Sequence, residues 1–110
     1  MLKRFTPALI ASTAASLCLS TPASAAPQIH VIVLDKMKFG TVPASVRAGD
    51  TILWVNRDLF RHSATAANKS FDVDLPPHAQ VRMTVRASGT IAFTCKYHPG
   101  MRGTLRVTPR

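Results

Sequence analysis

An all-β sandwich or barrel is what this chain predicts, on three observations. Short runs rich in Ile, Val and Thr alternate apolar and polar side chains with a period of two, the signature of a half-buried strand. Turn residues separate the runs, and Pro27, Pro43, Pro76, Pro77, Pro99 and Pro109 interrupt what lies between. No segment carries the 3.6-residue period of an amphipathic helix, and no internal repeat, linker or second domain is visible.

Residues 1–25 read as a secretory signal peptide. Lys3 and Arg4 form a short basic region, Ala8 to Leu19 an apolar stretch, and Ala23-Ser24-Ala25 a small-x-small cleavage site. Cleavage after Ala25 is preferred, because cutting one residue later would put Pro27 directly behind the scissile bond. The apolar stretch is too short and too rich in Ala, Ser and Thr for a membrane span. Cys18 follows Leu17, where a lipid-modified Cys would follow a small residue. The expectation is a periplasmic domain over residues 26–110, with no membrane span.

Within that domain, Gln28 to Leu34 is the first strand, in which His30 alternates opposite to Ile29, Val31 and Val33 and is read as no ligand. Met37 and Phe39 share parity around Lys38 and read as two inward side chains on a short strand. The Ala48-Gly49-Asp50 turn precedes a strand from Thr51 to Asn56. His78 follows Pro76-Pro77 in a solvated turn. Val81, Met83 and Val85 share one face of Val81 to Arg86, with Met83 assigned to packing. Ile91, Phe93 and Cys95 share parity, so a core-facing Ile91 and Phe93 would carry the thiol inward as well. Thr104 to Thr108 closes the chain with Leu105 and Val107 inward.

Composition narrows the function. Removing 25 of 110 residues leaves 85 with limited core, and Cys95 as the one remaining thiol, so no disulfide can form within the domain. A lone thiol in an oxidising compartment is either buried and inert or bound to a metal. The 14 Lys and Arg against 5 Asp and Glu become 12 against 5 without Lys3 and Arg4, a net charge of +7. Such a charge either steers the domain to acidic partners or simply keeps it soluble. Nucleic acid is not expected: the charges are scattered, and one Tyr and one Trp make no stacking platform.

The chemistry concentrates in Cys95-Lys96-Tyr97-His98-Pro99-Gly100-Met101, with His62 upstream. One thiolate, two imidazoles and a thioether suit a mononuclear copper electron-transfer site. Zinc is disfavoured because a thioether is a poor ligand for it and structural sites prefer more thiolates. Iron–sulfur clusters need more Cys than this chain has. Four protein ligands leave no open position for substrate, so no enzyme is expected.

Met37-Lys38-Phe39, Ala48-Gly49-Asp50-Thr51, Trp54-Val55-Asn56-Arg57-Asp58, His62, Phe71-Asp72 and Cys95-x-x-His98-Pro99-x-Met101-Arg102-Gly103 occur in that order. Together they resemble the cupredoxins, the small blue copper proteins, and the ligand-loop spacing is similar to that of the amicyanins. The resemblance implies a Greek-key β-sandwich of about eight strands with type 1 copper at one end. His62, Cys95 and His98 would be equatorial ligands and Met101 the axial one. It also implies that Asn56 ties the His62 loop to the Cys95 loop, and that His98 is the electron exit through an apolar patch. Lys96 stands where the family commonly has a hydroxyl residue, and Gly100 where amicyanins carry a bulky Phe. The implied function is a monomeric one-electron shuttle between periplasmic redox proteins, its partner bearing an acidic docking surface. Copper carriage and delivery is the alternative, and a copper-free β-sandwich the third.

Overall fold

Nine strands form between Ile29 and Thr108 in the computed structural model, which describes residues 2–18 and 26–110. The motif Ala23-Ser24-Ala25 lies outside the described residues. Residues 2–18 are exposed and carry neither helix nor strand. No helix among the described residues is long and apolar enough to cross a membrane.

The strands are β1 (Ile29–Asp35), β2 (Lys38–Phe39), β3 (Val46–Arg47), β4 (Thr51–Asn56), β5 (His62–Ala66), β6 (Asp72–Leu75), β7 (Gln80–Thr84), β8 (Gly89–Thr94) and β9 (Arg102–Thr108). One sheet has the order β2-β1-β4-β7 and the other β3-β9-β8-β5-β6, so the chain repeatedly changes sheet. β1 and β4 run parallel, from Ile29 opposite Thr51 to Leu34 opposite Asn56. That register sets two poles about 17 Å apart, the rise of the five steps along β4. Asp50 sits at one pole. Asn56, the start of β5, the end of β8 and the start of β9 meet at the other.

Between the sheets, Ile32, Leu34, Ile52 and Trp54 of the first pack with Leu75, Ile91, Phe93 and Leu105 of the second. Burying each such side chain stabilises the fold by roughly 1.5–3 kcal/mol. Phe93 meets Phe39 edge-on at 4.8 Å between centroids and Trp54 at 5.3 Å. Gly103 is required here: a Cβ on it would lie 2.3 Å from Phe93 Cζ, and Phe93 has no exposed surface to retreat into. Trp54 Nε1 has no hydrogen-bond partner among the described residues.

Inward parity holds for Ile91, Phe93 and Cys95 and for Leu105 and Val107, all buried. In β1 the buried residues are Ile32 and Leu34, with His30 on their parity, whereas Ile29 and Val31 face solvent. One expectation needs correction. Met37 points outward, because Lys36 and Met37 form the two-residue turn of the β1–β2 hairpin with φ of 52° and 62°. That mirror-image turn ordinarily takes Asn and Gly, and each L side chain there costs about 1–2 kcal/mol.

At the far pole, Asp50 is buried and accepts the backbone N–H of Gln28 and of Arg47, each at 3.0 Å. It also accepts His30 Nε2 at 2.9 Å and pairs with Arg110 near the C-terminus. Burial alone would raise its carboxyl pKa, but these bonds and the Arg110 charge hold it far below the usual carboxylate range.

Candidate metal centre

Three chain segments deliver three donors to one point. His62 opens β5, Cys95 follows the last residue of β8, and His98 stands in the loop back to β9. The loop is closed by two backbone bonds, Cys95 N–H to Met101 O at 3.1 Å and Met101 N–H to His98 O at 2.9 Å. Pro99 and Gly100 fit between these bonds, so the short spacing is what lets the turn close.

The donor atoms form a triangle. His62 Nδ1 and His98 Nδ1 are 3.2 Å apart, and Cys95 Sγ lies 3.8 Å from the first and 3.6 Å from the second. An ion at the centre of a trigonal plane, with metal–N near 2.0 Å and metal–S near 2.3 Å, needs edges of about 3.5 Å and about 3.7 Å. The observed triangle fits such an ion without rearrangement. His62 and Cys95 are fully buried and Met101 nearly so, whereas His98 is half-buried and borders the exposed Phe60, with ring centroids 6.3 Å apart. No described contact fixes the Met101 thioether at the triangle; its placement at the end of the closed loop is what the structure gives.

Each buried ligand has a brace behind it. His62 Nε2 donates to Asp58 Oδ2 at 2.7 Å. A carboxylate can only accept, so Nε2 holds the proton and the neutral ring presents its Nδ1 lone pair to the triangle. Asp58 is itself fixed by the N–H groups of Lys36 and Met37, at 2.8 Å and 3.0 Å, inside the strained hairpin turn. Burial raises the Asp58 carboxyl, but the bonds from His62 and the turn outweigh it and hold the group below its usual value. Cys95 Sγ accepts the Ser63 N–H at 3.4 Å. Ser63 Oγ accepts the Lys96 N–H at 2.9 Å and thereby locks the residue after the cysteine.

One expected role changes. Asn56 does not reach the Cys95 loop: its Nδ2 donates to the carbonyls of Phe60, Leu75 and Pro76, and its Oδ1 accepts the Asp58 N–H. It ties the β4–β5 loop to the end of β6 instead. The tether to the Cys95 loop is Ser63, a neighbour of His62 that supplies the hydroxyl Lys96 lacks. The Lys96 ammonium turns outward to Asp72 at 2.9 Å. Sequence reasoning passed over Asp58 and Ser63, although an acid four residues before a ligating His was a usable signal. His30 and His78 stand apart from the triangle, His30 held by Asp50 and His78 exposed in its turn.

The cupredoxin-like domain family matches residues 8–107 of the 110. The chain belongs to the cupredoxin-like family. Amicyanin of Paracoccus versutus is 28% identical to this cupredoxin over 79 residues, and amicyanin of Paracoccus denitrificans 30% over 84. Each alignment takes in 66% of this chain, which spans about 60% of the length of those relatives. Among solved structures, a methionine-to-alanine amicyanin variant in its Cu(I) form superposes with a TM-score of 0.61 at 27% identity, over 73% of this chain and 82% of that one. An oxidised proline-to-alanine amicyanin variant gives 0.60 at 28%, with the same coverage.

Proposed function

We propose that residues 26–110, freed of a signal peptide in the periplasm, hold one copper ion through His62, Cys95 and His98, with Met101 as a weak fourth ligand, and shuttle single electrons between redox proteins. The convergent triangle of two imidazole nitrogens and one buried sulfur carries this reading. Bound copper supplies a one-electron couple between Cu(I) and Cu(II). The chain's own contribution is rigidity: Asp58 fixes the tautomer and tilt of His62, Ser63 fixes the sulfur and the residue after it, and the closed loop fixes His98. Burial of His62 and Cys95 keeps water off two ligands, and the half-exposed His98 is the one donor that can face a partner.

Delivery of copper is not favoured, because two of three donors are fully buried, and no exposed Met or His cluster stands beside them among the described residues to receive the ion. The amicyanin relatives, and a solved relative in its Cu(I) form, support the electron-transfer reading. The test is a Cu(II) titration of the purified domain, with expectation of an intense blue thiolate-to-copper band that bleaches on reduction and returns on reoxidation. Cys95→Ser should remove the band entirely. Absence of a band in the unaltered protein overturns copper binding, and a band that does not cycle overturns shuttling in favour of delivery.

A further inference from the structure

Four described residues other than glycine have a positive φ, and two of them, Lys36 and Met37, are adjacent at the tip of the β1–β2 hairpin. An L side chain in that region crowds the carbonyl that follows it, and two in succession persist only where the surroundings leave no alternative. Two contacts pin this turn. From the core side, Phe39 is wedged edge-on against Phe93 at 4.8 Å and Trp54 at 6.1 Å, one residue beyond the Asp35–Lys38 pair that closes the hairpin. From the loop side comes Asp58.

Successive N–H groups in such a turn converge on one side and make a small anion cradle. Asp58 fills it: Oδ1 accepts the Lys36 N–H at 2.8 Å and Oδ2 the Met37 N–H at 3.0 Å, with Asp35 Oδ1 sharing the first at 3.0 Å. The Asp58 side chain keeps only 11% of its surface exposed, and no Lys or Arg among the described residues pairs with it. Its charge therefore rests on these two amides and on His62 Nε2 at 2.7 Å. Without the amides, the carboxylate would be a poorly solvated anion with one neutral partner, which costs more than turning the side chain out to water. Turned out, it would leave His62 free to carry its proton on Nδ1, the nitrogen that faces Cys95 and His98.

We infer that the Lys36–Met37 turn is a positioning element for His62: its paired N–H groups hold Asp58 in place, and Asp58 holds the proton on Nε2, so that Nδ1 presents its lone pair. The backbone cost of two left-handed L residues is thereby tied to the state of a histidine that opens β5. The side chains at 36 and 37 take no part, so any two residues that keep both N–H groups in this turn serve equally well. That copper takes up the Nδ1 lone pair rests on the function proposed above; the tautomer itself does not.

The test reads the ¹⁵N shifts of the His62 ring in metal-free protein at about pH 8, where an ordinary imidazole is neutral, and copper affinity by competition. Lys36→Asn combined with Met37→Gly relieves the strain and keeps both amides. The urea midpoint should rise, with the Nε2–H tautomer and the copper affinity unchanged. Two glycines inserted between positions 36 and 37 of that stabilised protein keep the hairpin but withdraw the amides. His62 should then show both tautomers, and copper affinity should fall about tenfold, the lower end of what losing a group behind a ligating histidine costs. The same insertion after Asn68, in the turn at the other end of β5, lowers stability without touching Asp58 and should leave both readings unchanged. An unchanged tautomer after the hairpin insertion, equal changes from both insertions, or a loss of affinity in the strain-relieved protein would each overturn the inference. The tautomer is read without metal, so a missing blue band would remove the electron-transfer reading and leave this result standing.

Discussion

The two poles of this sandwich use the same pair of groups for different ends. At each, an aspartate accepts the Nε2 of a histidine and two backbone N–H groups: the buried Asp50 with His30, Gln28 and Arg47, and the half-buried Asp58 with His62, Lys36 and Met37. At the Asp50 pole Arg110 adds a cation, so the carboxylate is neutralised and the cluster clasps the start of β1, the turn before β4 and the chain end. At the Asp58 pole no Lys or Arg among the described residues pairs with the carboxylate, and the far nitrogen of the histidine faces Cys95 and His98. A carboxylate–histidine pair is therefore no mark of a metal site in itself. What faces the second ring nitrogen decides.

The contrast can be broken by mutation. Asp50→Ala should cost about 3 kcal/mol of folding stability, the scale of removing one member of a buried charged pair. It should leave the blue band in place, as read by urea unfolding and absorbance on the same samples. Asp58→Ala should instead weaken copper binding by roughly 10–100-fold, the usual effect of losing the group behind a ligating histidine. A competition titration measures it. If Asp58→Ala left copper affinity intact and only destabilised the fold, the two poles would be the same device and the distinction would fail.

Acid gives the smallest effect and a sign to check. The Asp50 carboxyl is lowered in the folded state, so its contribution is complete above the ordinary aspartate value of 3.8 and is lost as pH falls beneath it, where the unfolded chain takes the proton first. Urea midpoints should therefore fall with pH in that acid window. The Asp50→Ala protein should show a shallower fall than the unaltered one.

Much of the site was legible because its signals are local. Cys95, His98 and Met101 share one seven-residue loop, and the parity of Ile91, Phe93 and Cys95 points the sulfur inward whatever the partner strands do. The strand from Thr51 to Asn56 was found to the residue because a turn precedes it and no competing pattern follows. The failures are long-range or unsignalled. Asp58 reaches the Lys36–Met37 turn 21 residues away in sequence, a contact no spacing rule announces. That turn contains no Gly or Asn, so Met37 looked like an inward strand residue. Asn56 was misassigned because its three acceptor carbonyls belong to segments that only the fold brings together. In β1, both alternating faces are apolar, so periodicity alone could not choose between Ile29, Val31 and Val33 on one side and Ile32 and Leu34 on the other.

Trp54 is the single tryptophan of the chain, its ring fully buried against Phe39, Phe71 and Phe93 and its indole nitrogen unpartnered among the described residues. An excited indole relaxes by reorienting dipoles around it, and here there are almost none to reorient. The protein thus carries a built-in fluorophore whose emission should sit at the short-wavelength limit for tryptophan. Water entering between the two sheets would move that emission to the red, so the fluorophore reports on the dryness of the core that holds Cys95.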